Sequence, residues 1–299
     1  DEIDKAQALH RMSDFLSRYY RKKVIILLDE YDTPMQEAYI EGYWERLVSF
    51  TRSLFNASFK TNPFLERAIM TGITRVSKES VFSDLNNLVV ITTTSDAYAT
   101  SFGFTEQEVF HALEEFGKSE KQKEVKNWYD GFTFGGISDI YNPWSILNYL
   151  KTGKIASYWT NTSSNRFVGS LIRESGRNLK MDFENLLKGG MLRTMLDEQV
   201  VFSQLDHSET AIWSMLLASG YLKIADHETD TRTGREYYTL ALTNREVQLM
   251  FENIVHDWFA EGAEDYNDFI KGLLSGDVEA MNCYMNRITK RMFSYFDTG

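Results

Sequence analysis

The stretch Val24-Ile25-Ile26-Leu27-Leu28-Asp29-Glu30-Tyr31-Asp32 decides how the first part of this chain is read. Five apolar residues run without a break and end in three carboxylates within four positions. A short unbroken apolar run predicts a strand buried on both faces, as in parallel sheets. Ligands of such sheets bind at the carboxyl ends of the strands. An acid at that end suits a hard divalent cation, and the acid beside it can orient or deprotonate an attacking water. Asp29 is therefore the candidate ligand for Mg2+, and Glu30 the candidate catalytic acid. Asp32 stays open between two roles. It can assist the metal shell, or it can cap the helix that Thr33-Pro34 opens.

Working outward, residues 1–22 carry Ile3, Ala6, Leu9, Met12, Leu16 and Tyr19 at helical spacing and predict an amphipathic helix before the strand. A helix follows Pro34 and carries Tyr43, Trp44, Leu47, Phe50 and Leu54. Glu66 to Ile73 predicts a second buried strand, and β-branched Val89 to Thr94 a third strand or an extended edge. Strand alternating with helix predicts a parallel α/β layer. Arg75 follows the second strand. It can touch phosphate oxygens of a nucleotide, as a sensor of the γ-phosphate, or pair with a nearby acid.

From Thr105 the pattern turns helical. Thr105-Glu106-Gln107-Glu108 is a capping box, Trp128 to Gly131 and Gly135-Gly136 mark a loop, and Asn142-Pro143 opens a helix ending near Gly153. Residues 163–196 predict helix, with Arg166, Arg173, Arg177 and Lys180 near one solvated face. An apolar helix from His207 to Ala218, strands at Tyr221–Ile224 and Tyr237–Leu242, and a second capping box at Thr243–Glu246 give helix, hairpin, helix, the outline of a winged-helix domain. Residues 261–299 look helical. The expected division is a truncated NTPase core with a helical extension over 1–160, and a helical, winged-helix-like domain over 161–299.

The 299 residues suffice for a sizeable core, and 43% hydrophobic with 14% aromatic content excludes a disordered chain. A net charge of -11 argues against a general nucleic-acid surface. Cys283 is the single cysteine, so intramolecular disulfides and cysteine-based metal sites are excluded, which fits a reducing cytoplasm. No apolar run reaches membrane-spanning length. The five histidines have no metal-ligand spacing, and neither H-E-x-x-H nor G-x-S-x-G occurs. A phosphate cradle, G-x-x-x-x-G-K-[ST], is also missing. The nearest match, Gly131 to Gly136, has Ile137 where Lys is needed.

Several segments, in order and spacing, carry a resemblance: VIILLDEYDTP (24–34), TGITRVSKESVFSDLNNL (71–88), FGFTEQEV (102–109), WYDG (128–131), YNPWSIL (141–147) and YWTNTSSN (158–165). With them the chain resembles the AAA-ATPase-like proteins of bacteria, often joined to a C-terminal PD-(D/E)xK nuclease-like domain. The resemblance implies a P-loop NTPase core of AAA or STAND type followed by a winged-helix-like domain. It carries the Walker B role onto Asp29 and Glu30, and a sensor-like role onto Arg75. The family's Walker A segment would precede Asp1 and its nuclease-like domain would follow Phe296. The expectation is thus a fragment of an ATPase, inactive alone, lacking the first strand and P-loop. Its parent would use ATP with Mg2+ and act as a switch or motor, with a homo-oligomer open. The alternative is a degenerate NTPase fold that binds a protein or DNA partner through the winged-helix region. Residues 207–219 contain no Lys or Arg, which leans that alternative toward protein.

Overall fold

In the computed structural model, residues 2–73, 82, 85, 88–161, 166–197, 204–205, 208–260, 275–279, 281–283 and 285–286 are described. Arg75, and most of residues 261–299, which were expected to be helical, lie outside them. The chain begins with α1 (Glu2–Ala6) and α2 (Ala8–Tyr20), then β1 (Val24–Leu28), α3 (Thr33–Glu41), α4 (Trp44–Phe59) and β2 (Leu65–Met70). It continues through β3 (Phe104–Thr105), α5 (Glu106–Glu115), α6 (Gln122–Tyr129), β4 (Asp130–Phe134), β5 (Ile137–Tyr141) and α7 (Pro143–Thr152). Then come α8 (Arg166–Glu174), α9 (Arg177–Leu187), β6 (Leu192–Thr194), α10 (Glu209–Ala218), β7 (Leu222–Thr229), β8 (Glu236–Leu242) and α11 (Arg245–Ala260). Contacts divide the chain into two compact units, Asp1–Val90 with Asp197–Ala218, and Ile91–Leu196 with Ser219–Gly299.

In the first unit β1 and β2 pair in parallel, with Ile26 opposite Ala68 and Leu28 opposite Met70. A parallel pair needs a crossover, and α3 and α4 supply it. The expected burial on both faces is met on one face only. Ile26, Leu28, Ala68 and Met70 turn toward the interior, whereas Ile25 is 60% and Leu27 73% exposed, with Ile69 exposed beside them. Periodicity could not foresee this, because an unbroken apolar run has the same composition whether or not something covers its outer face. The interior is aromatic. Phe55 stacks on Phe82 with ring centroids 5.6 Å apart, and Tyr31 meets both edge-on. In α10 every residue from Ala211 to Leu217 is buried, as befits a helix apolar on all sides.

The second unit holds two antiparallel sheets, β3-β5-β4 and β6-β8-β7. The loop expected at Trp128–Gly136 is instead the end of α6 and a hairpin, β4 to β5, closed by Gly135-Gly136. Gly-Gly between β-rich runs is a hairpin signal. The third strand expected at Val89–Thr94 forms no ladder. Its carbonyl at Thr93 accepts from Gly135 N, and Asp96 Oδ1 accepts from Gly136 N, so this segment ties down the hairpin turn. β-Branched residues favour a strand only where a sheet edge is free to pair. Around the hairpin, Val109, Leu113, Val125, Tyr129, Tyr141, Ile146 and Tyr149 form one core.

The capping boxes part company. At Thr105 the reciprocal bonds with Glu108 form as expected. At α11 the side chain of Asn244 accepts from Val247 N, while Thr243 Oγ1 donates to Gly220 O. Glu246, 1% exposed, turns inward and accepts from Ser145 Oγ, Tyr158 N and Thr160 N. The cationic face expected over 166–180 is divided between α8 and α9. Among the described residues no helix is long and apolar enough to cross a membrane.

Candidate functional site at the carboxyl end of β1

Parallel pairing in register brings the carboxyl ends of β1 and β2 together, so residues 29–32 face residues 71–73. Two backbone bonds extend the pairing past the strands. Thr71 N donates to Leu28 O at 2.9 Å, and Tyr31 N donates to Thr71 O at 3.0 Å. The Thr71 side chain closes the same junction. Its hydroxyl accepts from Glu30 N at 3.1 Å and donates to Asp29 Oδ1. Glu30 lies in the left-handed region at φ 49°, a conformation costing a non-glycine residue on the order of 1 kcal/mol. It persists because the flanking residues are held to β2. The Glu30 carboxylate accepts from Thr33 Oγ1 at 3.3 Å.

Asp32 occupies the N-cap position of α3, yet its side chain makes no cap bond. It is 1% exposed, and Oδ2 accepts from Ile73 N at 2.9 Å. Of its two open roles, the capping one is thus replaced by a brace to the β2 loop. Gly72 makes the brace possible, since a Cβ there would sit 2.6 Å from the Tyr31 ring and 2.7 Å from Asp32 Oδ1. Asp29 and Glu30 are both exposed and have no cationic partner among the described residues. Their oxygens are the hard donors that Mg2+ takes. For ATP the fit is partial. The sequence has no G-x-x-x-x-G-K-[ST], and Arg75 lies outside the described residues, so no described residue is assigned to its phosphates.

A second acidic cluster lies in the other unit. Glu106 at the start of α5, Asp130 opening β4 and Asp139 in β5 converge closely enough to share one cation. Lys126 of α6 already fills the centre. Its Nζ bonds Glu106 Oε2, lies 2.9 Å from Asp139 Oδ1 and 3.6 Å from Asp130 Oδ2. Burial pushes the Asp130 carboxyl up to about 6, reinforced by Asp139 and opposed by Lys126 and Lys223. Asp139 is held below the usual carboxylate range, first by its bond from Lys126. For Lys126, burial alone would lower the ammonium, but the bonds to Glu106 and Asp139 outweigh it and raise the group. The protein carries its own cation here, and the cluster is a structural ion network.

The sequence singled out Asp29, Glu30 and Asp32, and the fold brings all three to one strand end. It did not single out Thr71 or Gly72, which sit some forty residues away; only the register of a parallel pair reveals them. The Lys126 network was missed for want of the β4–β5 hairpin, although Gly135-Gly136 was its available signal. Among the aromatics of the WYDG and YNPWSIL segments, Tyr129 and Tyr141 are fully buried, whereas Trp144 is exposed.

Residues 1–82 match a family model, AAA-ATPase-like, described as "Predicted AAA-ATPase". An "Uncharacterized protein in vnfD 5'region" from Azotobacter chroococcum mcd 1 is 28% identical over 154 residues. That stretch is 51% of this chain and 30% of the relative, so the chain spans less than a third of the relative's length. No solved structure matches.

Proposed function

From the match of residues 1–82 to the Predicted AAA-ATPase family, we propose that the first unit carries the acidic half of an ATP-hydrolysing site. One observation supports this most: a parallel pair of strands sets Asp29 and Glu30, exposed and without a cationic partner among the described residues, at its carboxyl end. In this reading Asp29 is the Walker B ligand and Glu30 polarises the attacking water. Mg2+, when bound, would supply charge neutralisation on phosphate oxygens. Asp32 lies beneath them as a brace rather than in the metal shell, given its burial and its bond from Ile73 N. The sensor-like role of Arg75 belongs to the same proposal and rests on the resemblance alone. A P-loop outside this sequence, acting with a parallel P-loop core, would hold the phosphates. A reducing cytoplasm suits a chain with a single cysteine.

Hydrolysis would serve a molecular switch or motor, acting on the winged-helix-like region that the resemblance implies. As a DNA-reading helix α10 is disfavoured, because it is buried from Ala211 to Leu217. The decisive experiment is Glu30→Gln in the full-length protein. ATP binding should persist while hydrolysis falls by about a hundredfold or more, the range of positioned acid-base groups. Unchanged turnover would sink the assignment.

A further inference from the structure

We infer that Thr71 is the positioning residue of this acidic end: a single hydroxyl fixes both Asp29 and Glu30. The inference rests on the reading of those two acids as a metal and water site. Its basis is the direction of the bonds at one oxygen. Thr71 Oγ1 accepts from Glu30 N at 3.1 Å, and its own hydrogen goes to Asp29 Oδ1. That hydrogen can point only one way, so the donation engages Oδ1 of Asp29 and leaves Oδ2 with no hydrogen-bond partner among the described residues. Asp29 would then meet a cation through one oxygen in a fixed rotamer. The accepted bond holds the amide of the one residue in the 28–33 turn whose φ is left-handed. The Thr71 main chain grips the same turn independently, through Thr71 N to Leu28 O and Tyr31 N to Thr71 O. The turn therefore survives loss of the hydroxyl, while the aim of the two carboxylates does not. Precise aim is worth much in catalysis, since a displacement of about 1 Å can cost roughly a hundredfold.

Thr71→Val keeps the shape and removes the hydroxyl; Thr71→Ala is a second hydroxyl-free variant should Val disturb the fold, and Thr71→Ser restores the hydroxyl. Three readouts apply to the full-length protein. Amide exchange by NMR should rise at Glu30 in the Val variant by about tenfold or more and stay unchanged at Tyr31, whose partner is the main-chain carbonyl. Mn2+, used alone as the probe and read by electron paramagnetic resonance, should bind several-fold more weakly. Turnover should fall about tenfold or more with KM for ATP nearly constant, and Thr71→Ser should recover all three. Two results overturn the inference alone: Thr71→Val binding Mn2+ and turning over like wild type while Asp29→Asn does neither, or Thr71→Ser as impaired as Thr71→Val. Equal Mn2+ binding by wild type and Asp29→Asn overturns the reading of the acids themselves, and the inference with it.

Discussion

Two groups of three acids, one in each unit, have opposite fates. Glu106, Asp130 and Asp139 surround Lys126, whose ammonium takes the place of a bound ion. Asp29 and Glu30 are exposed, have no ammonium or guanidinium partner among the described residues, and sit on a turn that holds a non-glycine residue left-handed. The first arrangement spends its charges on joining α5, α6 and the β4–β5 hairpin. The second leaves its charges exposed and joins no elements through an ion pair among the described residues. Three acids in proximity are therefore poor indicators of a metal site; the test is whether the fold supplies its own cation.

The comparison is broken most sharply by function. Glu30→Gln should lower ATP hydrolysis by about a hundredfold or more in steady-state assays while leaving the melting temperature nearly unchanged. A large loss of stability instead would make β1's acids structural, like those of the second unit. Gly131→Ala tests the other side. Gly131 follows Asp130 at φ 135°, and a Cβ there would collide with the Thr243 carbonyl oxygen. Denaturant unfolding should show a loss of about 3 kcal/mol, the upper range for overpacking at a site that cannot relax.

Lys126→Met should cost about 1 kcal/mol, because its side chain is 41% exposed and solvent screens part of the network. The parallel change at the acidic end, Asp29→Asn, should be nearly neutral, since Asp29 has no ion-pair partner among the described residues and the amide oxygen can still accept from Thr71 Oγ1. Thermal melts of the two variants side by side compare the clusters directly.

A graded effect concerns pH. Asp130 has its folded value raised to about 6, above the ordinary carboxylate value it regains on unfolding. Its contribution to stability is therefore complete below about pH 4 and is lost as pH rises through 6. Asp139 is shifted the other way: its contribution is present above the ordinary carboxylate range and is lost as pH falls through its lowered folded value. Comparing wild type with Asp130→Asn by urea unfolding between pH 4 and 7 should show the wild type losing on the order of 1 kcal/mol relative to the variant. A flat difference would show Lys126 neutralising the cluster completely.

Much of the framework was legible because it follows from local rules. β1 at Val24–Leu28, the capping box at Thr105, the helix from Asn142-Pro143 to Gly153 and the two strands after Gly220 all fall where spacing and caps put them. Errors arose wherever a residue had two local uses and a distant partner chose between them. Thr243–Glu246 has the spelling of a capping box, yet three donors near Ser145 and Tyr158 capture Glu246. Val89–Thr94 has strand composition but holds the hairpin turn through its main chain.

By itself the sequence determined the strand, the acids that end it, and that no G-x-x-x-x-G-K-[ST] stretch occurs in it, because these are properties of contiguous residues. Only the tertiary structure decided what those acids meet. Parallel pairing carries Thr71 and Gly72 to the end of β1, and the β4–β5 hairpin carries Asp139 to Lys126. The chemistry of a carboxylate depends on its neighbours within a few ångströms, and register, not sequence proximity, selects them.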